Sequence, residues 1–158
     1  GRLVIVYFFI SVRKDLNFPK INLQFNEKPI AFLQVEKWIS GVADEYGKCT
    51  DNELQLWKKC KEGKSFASVH PKGNYFTYKK IHRNKPINTI HSRNPHFHYS
   101  RPRPLSTNEM LACSSFPIDY NWGNWIASKK RWAMGMSVPP FMIERIANEI
   151  YKQWLSVL

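Results

Sequence analysis

The run Leu3 to Val12 is almost unbroken Val, Ile, Tyr and Phe, and it restricts the folds open to this chain more than any other stretch. An apolar strand without alternation is buried on both faces, as in the interior of an α/β sheet, and needs a neighbour on each side. Nothing nearby in the sequence supplies those neighbours. The run is far shorter than the roughly 18 apolar residues of a membrane span, and it lacks the small-residue cleavage site of a secretory signal. Arg13-Lys14-Asp15-Leu16-Asn17 ends it. Residue 1 is Gly rather than Met, so a chain cut from something longer, or one carrying a foreign first residue, is the expectation.

Downstream the elements are short. Pro29 opens a helical stretch around Ala31 to Ile39, with Phe32, Val35, Glu36 and Ile39 at helical spacing, and Gly41 breaks it. A second helix is predicted from Asn52 to Lys61, capped by Thr50 or Asp51 and ended by Gly63, with Leu54 and Trp57 on its inner face. From Ser65 to Ser100 the texture changes to Gly, Pro, Asn, His, aromatic residues and Lys/Arg. Strands are expected around Phe66 to Val69, Tyr75 to Lys79 and Asn88 to Ser92. The turn signals Pro71-Lys72-Gly73-Asn74 and Asn84-Lys85-Pro86 separate them. Pro139 and Pro140 suit the first turn of a last helix, whose Ile143, Ile146, Ala147, Ile150 and Trp154 form one apolar stripe.

The chain has 158 residues, 43% of them hydrophobic, and ten Phe, seven Tyr and six Trp. That is one domain, or one plus a small lobe, with material for a real core. A net charge of +12 points to a polyanion, nucleic acid before an acidic membrane surface. Cys49, Cys60 and Cys113 are odd in number and widely spaced, which fits neither a disulfide framework nor a zinc ribbon but does fit a reducing cytoplasm. His91, His96 and His98 are potential metal ligands. No carboxylate or Cys lies near them in sequence, so no metal is expected.

The last third carries two signatures at a fixed distance. Arg103-Pro104-Leu105-Ser106-Thr107-Asn108-Glu109 closes with Phe116-Pro117-Ile118-Asp119-Tyr120, and Gly135-Met136-Ser137-Val138-Pro139-Pro140 leads into the tail helix. Together they resemble the ninth and tenth signature blocks of bacterial and phage cytosine-5 DNA methyltransferases. Leu3 to Asn17 is similar to the eighth block, although the Arg-x-Arg that usually precedes that strand aligns with Val4 and Val6. The resemblance runs from the eighth block onward, over essentially the whole chain. The family's nucleophile follows a Pro, its base-holding Glu lies in Glu-Asn-Val, and Phe-x-Gly-x-Gly binds the cofactor. None of the three is present. Cys49, Cys60 and Cys113 follow Lys, Lys and Ala, so no residue is assigned a catalytic role.

The resemblance implies an α+β chain in three parts. Residues 1–39 are the strand and connection of the eighth block, residues 40–128 a target-recognition domain including the ninth block, and residues 129–158 the tenth block and its helix. The strand and the helix would complete the α/β catalytic domain of a methyltransferase. Within the recognition domain, Thr89-Ile90 matches the family's Thr followed by Leu, Val or Ile, which braces the cavity left by the flipped base. Lys79, Lys80, Arg83, Lys85, His91, Arg93 and Arg101 interleave with Tyr75, Tyr78, His82, Phe97 and Tyr99, a pattern suited to phosphate anchoring and groove reading. Arg103 and Glu109 are expected to form a structural bridge, with Ser106 or Thr107 capping the helix that runs through Ser114. Gly135 and Ser137 would touch the methionine part of S-adenosyl-L-methionine, with Met136 standing where the family has Asn. The implied partners are double-stranded DNA and a catalytic methyltransferase domain or subunit, with no membrane, in the cytoplasm of a bacterial or phage-infected cell. The alternative is a free-standing DNA-binding module or an inactive methyltransferase remnant.

Overall fold

The computed structural model describes residues 15–40, 47–92 and 95–157. The expected strand at Leu3 to Val12 and the basic residue Arg93 lie outside them. Within them the chain is a mixed α+β structure whose helices carry most of the order.

Helix α1 spans Phe32–Trp38 and buries Phe32 and Val35. Its amino end is tied by the Ala31 N–H, which donates to Gln34 Oε1 at 2.9 Å. Helix α2 spans Asp51–Lys59, and Thr50 is its cap. The Glu53 N–H donates to Thr50 Oγ1 at 3.3 Å, and the Thr50 N–H donates back to Glu53 Oε2 at 2.8 Å. This reciprocal pair satisfies two donors that the helix start leaves open. The buried residue of α2 is Leu56, while the expected inner residues Leu54 and Trp57 flank it half-buried. The helix stops at Lys59, before Gly63, because Cys60 turns to extended backbone.

The expected strands are largely absent. Phe66–Ser68 is a 3-10 turn whose Ser65 cap accepts from the Ala67 N–H at 3.1 Å. Ser65 Oγ also donates to the carbonyls of Tyr75 and Phe76, which draws the backbone out of a ladder. Asn88 to Ser92 has no strand pairing. Only Lys79–Lys80 (β1) and His96–Phe97 (β2) pair, in parallel, with Lys79 opposite His96 and Lys80 opposite Phe97. Short antiparallel bridges extend this ribbon on both sides, Ser65 to Lys79 and Phe97 to Pro104. The turn signals do form, with the Gly73 N–H on the His70 carbonyl and the Lys85 N–H on the His82 carbonyl.

Two apolar clusters lie on either side of the ribbon. Phe66 and Phe97 meet at 4.6 Å between ring centroids, with Leu56 and Cys60 beside them. Phe97, expected among the DNA-facing aromatics, is therefore core. The second cluster joins Phe32, Ile81, Leu105, Met110, Leu111 and Met134. It holds helix α3 (Thr107–Cys113) against α1 and against helix α4 (Ala127–Met136). Helix α5 (Pro140–Gln153) has Pro139 as its cap and Pro140 at its first position. Of its stripe, Ile146 is buried, Ile150 and Trp154 are half-buried, and Ile143 and Ala147 are exposed. Segment 18–27 runs beside it, Phe18 stacking on Trp154 at 5.3 Å and Arg145 reaching Glu27 at 3.3 Å.

Phe97 is fully buried at the ribbon's centre, so Phe97→Ala should cost about 3–5 kcal/mol of stability. Urea denaturation followed by tryptophan fluorescence measures it.

Candidate nucleic-acid interface

Helix α3 is organised by one carboxylate. Ser106 caps α3, its Oγ accepting from the Glu109 N–H at 3.1 Å while Glu109 Oε2 accepts from the Ser106 N–H at 2.8 Å. The same carboxylate takes both arms of Arg103 at 2.7 Å each, a bidentate pair. Both side chains are buried, and Arg103 Nη1 also donates to the Pro104 carbonyl at 3.0 Å. Burial alone would raise the Glu109 carboxyl. The Arg103 hydrogen bonds, the Ser106 N–H and the charges of Arg103 and His98 outweigh it and hold the group below its ordinary 4.5.

A second acid, Glu36 of α1, joins this network. His98 Nε2 lies 3.0 Å from Glu36 Oε1, and the Tyr99 hydroxyl donates to Glu36 Oε2 at 2.9 Å. His98 Nδ1 accepts from the backbone N–H groups of Ser100 and Arg101, so Nε2 carries the proton toward Glu36. Burial holds this histidine below its ordinary value even though Glu36 and Glu109 favour the charged form. The fold thus supplies the carboxylates that the sequence lacked near His98, and the ligand atoms of Glu36, His98 and Glu109 lie within 4.8 Å of one another. Arg103 is the charge that Glu109 faces there, through the bidentate pair.

The expected phosphate-anchoring residues fall into distinct environments. Lys80 is buried, its Nζ 3.7 Å from the centroid of the Trp57 ring and donating to the Trp57 carbonyl. Burial lowers its pKa, so Lys80 braces the ribbon against α2. Arg83 pairs with Glu62 at 2.7 Å and lies over the Tyr99 ring. Arg101 is exposed, 3.9 Å from Glu36, and Lys85 and Thr89 are exposed. Lys79, Ile90 and His91 are half-buried, and Arg93 lies outside the described residues. Burial first, then Glu53, pushes the Cys49 thiol up to about 11, and burial first, then Glu109, pushes the Cys113 thiol up to about 12.

Thr89 and Ile90 do meet Gly135 and Ser137. The four line one cavity of about 450 Å³, closed by Ile87, Met134, Val138 and Met142. Gly135 sits in α4 against backbone: a Cβ there would lie 2.6 Å from the Ser92 Cα and 2.7 Å from the His91 carbonyl carbon. Only glycine allows that approach. The Ser137 hydroxyl donates to the Met134 carbonyl at 2.9 Å, leaving its oxygen lone pairs and the backbone beyond α4 to face the cavity. Glu36 and Trp57 had no signal in the sequence as site residues, because their partners lie more than forty positions away.

Among the described residues no helix is long and apolar enough to cross a membrane. The family model of C-5 cytosine-specific DNA methylases matches residues 8–152. No curated protein and no solved structure matches the chain.

Glu109→Gln would leave the buried Arg103 without its counter-charge and should cost about 3–5 kcal/mol. Because the Glu109 pKa is depressed on folding, its contribution is complete above the ordinary 4.5 and is lost as pH falls through the lower folded value. Thermal midpoints measured downward from pH 5 should therefore fall less steeply in Glu109→Gln than in the wild type.

Proposed function

The chain belongs to the C-5 cytosine-specific DNA methylase family, and from that premise we propose that it is the DNA-reading carboxy-terminal part, or small subunit, of such an enzyme. Family members methylate cytosine in DNA with S-adenosyl-L-methionine as methyl donor. The observation that carries the proposal is the shared cavity: the recognition-side pair Thr89-Ile90 and the cofactor-side pair Gly135 and Ser137 line the same space. In this reading residues 40–128 hold duplex DNA. Residues 129–158 return to the catalytic part, which brings the nucleophile and the donor-binding loop.

The division of labour follows from the chemistry. Carbon 6 of cytosine cannot be attacked within the base stack, so the target nucleotide must leave the duplex. Thr89 and Ile90 brace the space it vacates, while Lys85 and Arg101 hold the backbone through charge and set register without reading sequence. When bound, the donor supplies an electrophilic methyl group. This chain's share of that site is the Ser137 oxygen and adjacent backbone, with α4 fixed by Gly135. The exposed part of the α5 stripe, Ile143 with Phe141, is the surface on which the catalytic part rests.

The purified chain alone should show no methyl transfer to DNA, and adding the catalytic part should restore it. Transfer by the chain alone, free of contaminating enzyme, contradicts the proposal.

Within the reconstituted complex, Thr89→Gly should slow single-turnover methylation of a paired target more than of a mismatched one, whose base leaves the stack more easily. Lys85→Ala should weaken both about equally. Equal losses for Thr89→Gly on the two duplexes would make residue 89 an ordinary chain position.

A further inference from the structure

Four basic side chains converge where the recognition segment meets α4. The parallel register places Lys79 directly beside His96, so both side chains leave the ribbon on one face. The His91 ring lies parallel to that of His96, with 6.1 Å between centroids and 12° between planes. Gly135 presses α4 onto the backbone of Ser92 and His91, and Arg131, one turn earlier, lies along the same face of that helix. Lys79, His91 and Arg131 all act on His96 electrostatically. Burial first, and then these three charges, hold its ring down at about 3.

The cluster is chemically incomplete. His96 is 1% exposed, and neither ring nitrogen has a hydrogen-bond partner. Arg131 Nε is buried and likewise unpartnered. Among the described residues no ion pair reaches Lys79, His91, His96 or Arg131. Buried polar atoms without partners and sequestered cations without counter-charge each cost free energy. Two cations, Lys79 and Arg131, beside two imidazoles and with no acid paired to them among the described residues, call for an acceptor from outside.

We propose that Lys79, His91, His96 and Arg131 form a phosphate site that takes one phosphodiester of the DNA backbone. A phosphodiester fits because its two unesterified oxygens are acceptors only and its single negative charge faces groups rich in donors. Lys79, His91 and Arg131 are half-buried and can be reached from solvent, whereas His96 is buried. The assignment rests on the proposed role in DNA reading and adds a location to it. A tenth-block helix that merely closes the catalytic domain would not need a cation here; one that holds DNA would. The seam then senses bound DNA and aligns α4, and so Ser137, with the duplex.

Binding of a labelled mixed-sequence duplex to the full chain, followed by fluorescence anisotropy across a salt series, tests this. Arg131→Met should raise Kd and make the slope of log affinity against log salt shallower by about 0.9, the loss of one phosphate contact. His96→Leu should raise Kd as well. Neither variant should lower the thermal midpoint, because each removes an unpartnered polar group. Wild-type affinity and slope in both variants overturn the site. If those variants nonetheless fail to complement the catalytic part, the counter-charge is a carboxylate of that partner and not DNA. The same slope change in Lys37→Met, an exposed cation on α1, would reduce the effect to net charge and also overturn it. A wild-type chain that fails to bind the duplex at any salt overturns the DNA-reading proposal itself, which is a separate result.

Discussion

The Arg103–Glu109 pair is the contact on which the rest of this fold depends. The Glu109 carboxylate caps α3 through the Ser106 N–H and takes both arms of Arg103. Through His98 it lies next to Glu36 of α1. Desolvating such a pair costs several kcal/mol per ion, and that cost is offset only when geometry and satisfaction are nearly complete. Replacing the pair with apolar side chains would keep the volume but lose the direction. Two fixed hydrogen bonds set where segment 103–105 lies, and this segment is the one that closes the ribbon beside β2. A purely apolar contact could slide. Where the described residues hold so little sheet, an ion pair of fixed geometry does what strand register does elsewhere.

That dependence explains why strands were the least legible part of the sequence. The alternation at Tyr75 to Lys79 suggests a strand, yet Ser65 captures the carbonyls of Tyr75 and Phe76, and only Lys79 and Lys80 remain free to pair. Helices α2, α3 and α5 were legible because their signals are local, whereas α4, whose Ile126 cap makes no side-chain hydrogen bond, was not anticipated. Thr50 with Glu53, Ser106 with Glu109 and Pro140 each mark an amino end without help from the rest of the chain. The inner face of α2 was legible only in part: Trp57 packs against the cluster of Leu56, Cys60, Phe66 and Phe97, but the buried residue is Leu56 rather than Leu54, and that meeting is decided by the ribbon.

Residue type alone did not separate anchoring cations from structural ones. Lys79 and Lys80 are neighbours of the same type, but adjacent positions on a strand point to opposite faces. One joins His96 at the α4 seam, and the other lies on the Trp57 ring in the interior. Arg83 is exposed enough to meet a phosphate but is already engaged by Glu62. Net charge indicated a polyanion, whereas the position of each cation depended on pairings far apart in sequence. Conversely His96, read from the sequence only as a potential metal ligand, is a buried ring with neither nitrogen hydrogen-bonded.

Gly135 links the two ends of the chain's proposed role. A methyl group at its Cα would collide with the Ser92 backbone, so α4 can reach the backbone of His91 and Ser92 only with glycine at this point. That approach sets Ser137 two residues later at the edge of the cavity, and it sets Arg131 one turn earlier where its charge acts on His96. Helical geometry makes these consequences inseparable: shifting α4 outward by even a methyl radius would move the cofactor edge and the cationic seam together. If the seam holds DNA, then the position of the duplex and the position of the donor-side hydroxyl are coupled through one rigid helix of ten residues. The coupling needs no conformational change. It needs only that α4 be pinned at Gly135, and the backbone contact there is closer than any other residue type would permit.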